Sequence, residues 1–489
     1  MLVVSPNANG LLGTRYGALA RNTIDYWMLP DDPSMTTARV LEAIEQAPAL
    51  PESSLRLYLH VPFCAQRCRF CAFSGGNSLD WAQAERYAAL LVQQLRDLWG
   101  RTAMRGAPIR SVNIGGGSPD LLGPHIETVV QAVRELPGFG EQTEVSVEMT
   151  LSTTKLEFIE TLVALGVTKV SFGVQSLDPT VRAAMRQPRT LKHLERVLGW
   201  IDGRIPVVNA DLITGLPGQT RESVAADLDE LMADTRINAI SSYLLTPGAA
   251  PALLAAIGSG AIPPAPPALD QALMRLSTYG AFRRGGWIRR GTNTYIDPRR
   301  MSEPTRARLA GDECIGASQY ETFLLGVGPQ AISSLPGVRV ENQVDIAAWC
   351  AAVERGEPPL WLPKCSTIHQ RDMALWTFPL RWEGLPAARV EAMRQSGALS
   401  GTQQSMLDAL VHEGLVIAGP DGYGLSLLGE VFMGQLVRDL KSTSSREAID
   451  AYIGEGEALG RIAARGHVPD DNALNNRQLA TLRLDSGLA

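Results

Sequence analysis

The stretch "YLHVPFCAQRCRFCAFSGG", residues 58–76, places three of the chain's six cysteines, Cys64, Cys68 and Cys71, in one short loop. A zinc ion takes four nitrogen or sulfur ligands, and structural zinc sites usually come as two C-x2-C pairs. Here there is one C-x3-C-x2-C cluster and no second pair. His60 lies four residues before Cys64, on the same side of a strand, without being obliged to act as a ligand. Three idle buried thiols do not account for this spacing beside Pro62 and two phenylalanines. Three thiolates in one tight loop suit a [4Fe–4S] cluster with one iron left open.

The loop sits at the start of a repeating pattern. Strand-like runs fall at 55–61, 110–116, 143–149, 168–174, 205–213 and 238–245, and amphipathic helical stretches separate them. In "TTKLEFIETLVALG" (153–166), Leu156, Ile159 and Val163 share one face. Thr154 and Glu157 form a capping-box pair there, and Gly166 stops the helix. Strand and helix alternating six times predicts a parallel sheet built of right-handed crossovers, an α/β partial (β/α)6 barrel over residues 55–260. An N-terminal extension (1–54) precedes it. A barrel extension and linker (261–365) follows, with the proline-rich "GSGAIPPAPPALD" at 258–270. From 366 to 441 the order helix, strand, "PDGYG" turn, strand, helix predicts a winged-helix-like lobe that covers the barrel. A polar tail runs from 442 to 489.

With 489 residues, 45% apolar and 20% charged, the chain has enough apolar content for a large core and at least one satellite lobe. A net charge of −6 speaks against nucleic acid as a partner. The basic run "FRRGGWIRR" (282–290) reads as a solvated loop before it reads as a substrate contact. No apolar run reaches the length of a membrane span, and the N-terminus does not read as a signal peptide. Cys314, Cys350 and Cys365 are scattered and read as packing residues. This cysteine usage fits a reducing, cytoplasmic setting.

The motif "Y-x-H-x-P-F-C" before the first cysteine and "F-C-x-F" around the third resemble the cluster loop of radical S-adenosylmethionine (SAM) enzymes. They narrow the resemblance to the HemN/HemW-like branch, which contains oxygen-independent coproporphyrinogen dehydrogenase, heme chaperones and class C radical SAM methyltransferases. The likeness runs from about Leu55 to Leu440. It implies an enzyme with a [4Fe–4S] cluster held by Cys64, Cys68 and Cys71, two SAM molecules, and an external one-electron donor such as flavodoxin or ferredoxin.

Site residues follow from that resemblance. In "GGGSP" (115–119), Gly116 would touch the cluster-bound SAM, and Gly117 and Ser118 a second SAM. Tyr58 and Phe70 match aromatic positions beside the adenine and the cluster. Glu148, Gln175 and Asp211 stand at the ends of successive strands, where barrel enzymes gather ligand groups. Glu148 is assigned to the first SAM, and Gln175 and Asp211 to the second. Thr246 falls near the second SAM and Ile332 near the first. One position departs from the pattern: where family members commonly carry arginine, this chain has Gln187, preceded by Arg186.

For the reaction, heme chaperones of this branch carry an "HN-x-x-YW" motif, whereas "GASQYETFLLGVG" (316–328) offers Tyr320 without the His–Asn pair or the Trp. The resemblance then implies a class C methyltransferase that alkylates an sp2 carbon of a small natural-product substrate, by methylation or cyclopropanation. An oxygen-independent coproporphyrinogen dehydrogenase-like activity, or another heme-metabolism radical SAM role, is the alternative.

Overall fold

The computed structural model describes residues 36–46, 54–71, 75–76, 79–187, 191–245, 250–291, 293–309, 322–335, 338–363, 376, 380 and 384–447. Six strands follow the predicted runs: β1 (Ser54–Val61), β2 (Ile109–Gly116), β3 (Glu144–Met149), β4 (Lys169–Gln175), β5 (Val207–Thr214) and β6 (Ala239–Leu244). They pair in parallel and in chain order. A parallel pair needs a crossover, and each link between these strands carries a helix.

The same sheet grows beyond the six units. Its order is β12-β11-β10-β9-β1-β2-β3-β4-β5-β6-β8-β7, open at both edges. Strand β9 (Thr322–Val327) joins β1 in parallel, and β10 (Ile332–Leu335), β11 (Val338–Asn342) and β12 (Leu360–Pro363) continue it antiparallel. At the other edge lie β7 (Ile288–Arg289) and β8 (Thr294–Ile296). Segment 261–365, expected as extension and linker, thus supplies half of the twelve strands.

Residue parity along the strands separates two faces. Leu57, Leu59, Val112, Ile114, Val145, Val147, Val170 and Phe172 are buried in the main apolar core. The alternate positions, Tyr58, His60, Asn113, Ser146, Ser171, Asn209 and Ser241, are buried and polar or amphipathic. Side chains alternate across a strand, so one face packs on helices and the other becomes a polar inner wall. The helix Trp81–Arg101 starts at a capping box between Asp80 and Gln83 and buries Tyr87, Leu91 and Leu95 against the sheet.

Two local expectations are corrected. The helix after β3 spans Leu156–Ala164, with Lys155 at its N-cap and no side-chain cap bond. Thr154 instead donates to the Thr150 carbonyl at 2.9 Å, because the preceding turn brings that acceptor closer. Its buried face is Phe158, Ile159 and Leu162, not the one centred on Leu156 and Val163. Gly166 does end it, at φ 67°. The run 282–290 is not a solvated loop. Trp287 is buried against Phe282, and Arg283 and Arg289 reach Glu430 at 2.8 and 3.5 Å.

Glu430 belongs to the C-terminal lobe, where a three-stranded antiparallel sheet of β13 (Leu385–Pro386), β15 (Gly422–Leu425) and β14 (Val416–Gly419) packs with helices. The helix Ala268–Arg284 carries Ala272, Leu273 and Leu276 into that lobe's apolar core and so joins it to the sheet. Among the described residues no helix is long and apolar enough to cross a membrane.

Candidate active site

The cysteine loop leaves β1 at Val61 and is tied down at both ends. Gly76 N–H donates to the Pro62 carbonyl at 2.8 Å, and Cys64 N–H to the Gly76 carbonyl at 3.3 Å. Across the site it docks on the C-terminal end of the helix Pro179–Ala184, which follows β4. Arg69 donates from Nη1 to the Ala184 carbonyl at 2.6 Å and from its backbone N–H to Met185 at 3.2 Å. Gln66 Nε2 donates to the Arg186 carbonyl at 2.9 Å. A cation at a helix C-terminus is favoured by the macrodipole. Phe70 packs with the apolar group of Val181, Met185, Leu216 and Leu253.

The three thiols are half-buried and none is in a disulfide. Burial pushes the Cys64 thiol up to about 11, with Cys71 and then Asp120 adding to the shift. Cys68 is pushed up to about 12, by burial first and then by Cys71 and Cys64. Three mutually repelling thiolates in a partly dry loop need a cationic group to hold them ionised, and a bound metal cluster provides one. Among the described residues no three His, Cys, Asp or Glu side chains are placed to hold a single metal ion. The donor set therefore fits an iron–sulfur cluster better than a lone zinc. Cys350 is half-buried and packs against the core, while Cys314 and Cys365 lie outside the described residues.

Beside the loop, Gly117 N–H donates to the Val61 carbonyl at 2.7 Å, which brings the end of β2 against the start of the cysteine segment. Gly116 has φ 113°, and a Cβ there would lie 2.4 Å from the His60 ring. A Cβ on Gly115 would lie 2.3 Å from the Glu148 carboxylate. Only glycine permits both approaches. Glu148 accepts the Gly116 N–H at 3.1 Å and Asn113 Nδ2–H at 3.0 Å. His60 is buried, and its Nδ1 lies 2.8 Å from the Tyr58 hydroxyl. Burial lowers its pKa to about 4, so the ring is neutral. Tyr58 pairs in register with Gly326, against which the Ile332 backbone packs.

A second polar group is centred two strands further, on β5. Asp211 accepts from Ser171 Oγ at 3.0 Å and from Asn209 Nδ2 at 2.8 Å, and Asn209 accepts from Ser241 at 3.1 Å. Ser171 is the register partner of Glu148 on β3, so it separates the two carboxylates on one wall. Gln175 closes β4 in a left-handed conformation, φ 67°, at a register shift against β5. Its amide oxygen and that of Gln187 are both buried without a hydrogen bond among the described residues. Arg186, also left-handed at φ 58°, is exposed. The Ser118 hydroxyl is 2.6 Å from Asp120 and 2.7 Å from Thr150, so it is already engaged. Thr246 lies outside the described residues, as does Tyr320.

An open cleft brings Cys64, Cys68 and Gln187 together with Thr150, Arg182, Arg186 and His193. Sequence reasoning singled out neither Arg182 nor His193 nor Asp120. The available signal was the spacing of Arg182 and Arg186, which lie i, i+4 in "VRAAMRQ".

The protein-family model described as the Radical SAM superfamily matches residues 58–231. Anaerobic coproporphyrinogen III oxidase 1 of Cereibacter sphaeroides is 29% identical over 330 residues, covering 66% of this chain and 70% of that protein. The oxygen-independent coproporphyrinogen III oxidase of Bradyrhizobium diazoefficiens is 28% identical over 313 residues, covering 62% and 67%. Among solved structures, coproporphyrinogen III oxidase from Escherichia coli, described as a radical SAM enzyme, matches at TM-score 0.70 and 21% identity. That match covers 85% of this chain and 95% of the other.

These likenesses overturn the methyltransferase expectation: two relatives that cover 66% of this chain are named coproporphyrinogen III oxidases, and another with the same coverage, at 26% identity, is named anaerobilin synthase. The reason for the error is chemical. Cluster and SAM motifs are shared by the whole branch and position the radical source, but they do not select the carbon that reacts.

Proposed function

We infer that this chain, a radical SAM enzyme with the fold of a solved coproporphyrinogen oxidase, acts as an oxygen-independent coproporphyrinogen III oxidase or a heme-metabolism enzyme of the same kind. The observation that carries this reading is the 28–29% identity to enzymes of that name over about two thirds of the chain. Cys64, Cys68 and Cys71 would hold the [4Fe–4S] cluster, with reducing power from a one-electron donor such as flavodoxin or ferredoxin. When bound, cluster and SAM supply a carbon radical able to remove a hydrogen atom.

The chain's own residues position the reactants. Gly116 and Glu148, already joined by a hydrogen bond, would receive the SAM next to the cluster, with Tyr58, Phe70 and Ile332 around it. A second SAM would lie along Gly117, Ser118, Gln175, Gln187, Asp211 and Thr246. The buried amide oxygens of Gln175 and Gln187, which accept no hydrogen bond among the described residues, support that placement, because a buried acceptor left without a donor is costly. Since the Ser118 hydroxyl is engaged, that residue would offer its backbone. At position 187 the neutral amide takes the place of a cation, and Arg186 stays at the rim.

The test is anaerobic turnover of reconstituted protein with coproporphyrinogen III, a reductant and methyl-deuterated SAM. Each propionate that reacts should lose one hydrogen atom to the 5′-deoxyadenosyl radical, one electron to an added one-electron acceptor such as the oxidised donor protein, and carbon dioxide, leaving a vinyl group. Carbon dioxide, vinyl product and unlabelled 5′-deoxyadenosine are expected together. Cleavage of SAM with no decarboxylation, under conditions where a known oxidase turns over, would overturn the assignment.

A further inference from the structure

Arg182 is a charged side chain with only 4% of its surface exposed, on the helix to which the cysteine loop is docked. Its Nη1 donates to the carbonyls of Val174 at 2.7 Å and Ser176 at 2.9 Å. Those two carbonyls flank Gln175, the left-handed residue that ends β4. Ser176 in turn donates to the buried carboxylate of Asp227 at 2.6 Å. On its other side Arg182 lines the same cleft wall as Cys64 and Cys68. The Asp227 carboxylate favours the ionised form of its guanidinium.

A buried cation is costly unless anions face it. Asp227 is one. The second would be the cysteine loop once its thiolates hold the cluster, and its distance from Arg182 is held by the Arg69 and Gln66 bonds to Ala184, Met185 and Arg186. Loop and helix therefore form one unit, and the guanidinium cannot swing away without breaking both carbonyl contacts at Gln175.

We propose that Arg182 is a positioning and potential-setting residue. It clamps the left-handed turn at Gln175 and places a fixed positive charge beside the Cys68 corner of the cluster, making the cluster easier to reduce. Reduction adds a negative charge to a partly dry site, and cluster potentials respond to net charge, hydrogen bonding and exposure. Losing a nearby cation therefore favours the oxidised form. This inference rests on the radical SAM reading of the three cysteines.

The experiment is an EPR-monitored redox titration of anaerobically reconstituted protein, without substrate, with iron and sulfide measured on each sample. Arg182→Gln should shift the oxidised-to-reduced ratio at least tenfold toward the oxidised form, which is 59 mV for a one-electron couple. Arg182→Lys, which keeps the charge, should shift it by less than half as much on the same logarithmic scale. If Arg182→Gln holds no cluster, Asp227→Asn decides the matter: removing the opposing carboxylate should raise the potential. A wild-type-like potential in Arg182→Gln at equal iron content overturns the proposal, as does an unshifted Asp227→Asn where that variant decides. Wild-type protein that takes up no cluster overturns the radical SAM reading, and this inference with it.

Discussion

Replacing Glu148 with glutamine isolates the carboxylate on the inner wall. Glu148 accepts Gly116 N–H at 3.1 Å and Asn113 Nδ2–H at 3.0 Å, one donor on each oxygen. An amide of the same shape has one accepting oxygen, so one donor is left facing an NH2 group. A buried donor without an acceptor costs about 1–3 kcal/mol. The cost falls on the Gly116 turn, which already holds φ 113° with no room for a side chain. If that turn receives SAM, affinity should fall roughly 5- to 100-fold, at about tenfold per 1.4 kcal/mol. Iron content should stay at the wild-type level, because the cysteine loop hangs from β1 and the helix after β4, not from β3. The assay is equilibrium binding of SAM to anaerobically reconstituted protein, with iron and sulfide measured on the same samples. A dissociation constant within twofold of wild type at equal iron content would refute the placement of Glu148 and Gly116 in the SAM site.

Three further outcomes follow. Replacing Cys64, Cys68 or Cys71 with alanine should abolish SAM cleavage, and the triple variant should lose the visible absorbance and the iron, about four atoms per chain for this cluster type; a triple variant that keeps its iron would remove the cluster from this loop. His60 has a folded pKa of about 4 against an ordinary 6.5. The unfolded chain therefore binds the proton first, and the stability His60 contributes is present above about pH 6.5 and lost as pH falls toward 4, by about 3 kcal/mol at most. His60→Gln should flatten that part of the curve in urea titrations of the metal-free protein, and an unchanged slope contradicts it. Glu430 is almost buried and meets Arg283 at 2.8 Å, the Tyr295 hydroxyl at 3.1 Å and Arg289 at 3.5 Å. Glu430→Ala should cost about 2–4 kcal/mol, less than a fully buried pair because the half-exposed Arg283 can return to water. Earlier proteolytic release of the C-terminal lobe would report it, and wild-type resistance would argue against this junction.

What the sequence determined by itself is whatever neighbours along the chain encode. A recurring apolar strand-like pattern, each time followed by a helical one, marked each of the six parallel strands within two residues of its ends, since strand and helix faces repeat over a few positions. Ligand spacing inside one loop pointed to Cys64, Cys68 and Cys71. The positions of Glu148 and Gln175 at or next to the ends of β3 and β4 were legible for the same reason, whereas Asp211 falls three residues before the end of β5. The tertiary structure decided what depends on distant segments meeting. Arg283 and Arg289 look like a loose basic run until Glu430, about 140 residues later, is packed on them. The Ser118 hydroxyl looks available in the sequence, and only the fold shows Thr150 and Asp120 engaging it. Arg182 reads as an ordinary helix cation until the cysteine loop, more than 100 residues earlier, is docked against its helix. A buried charge is tolerable only where another part of the chain brings it partners, and no local pattern records that meeting.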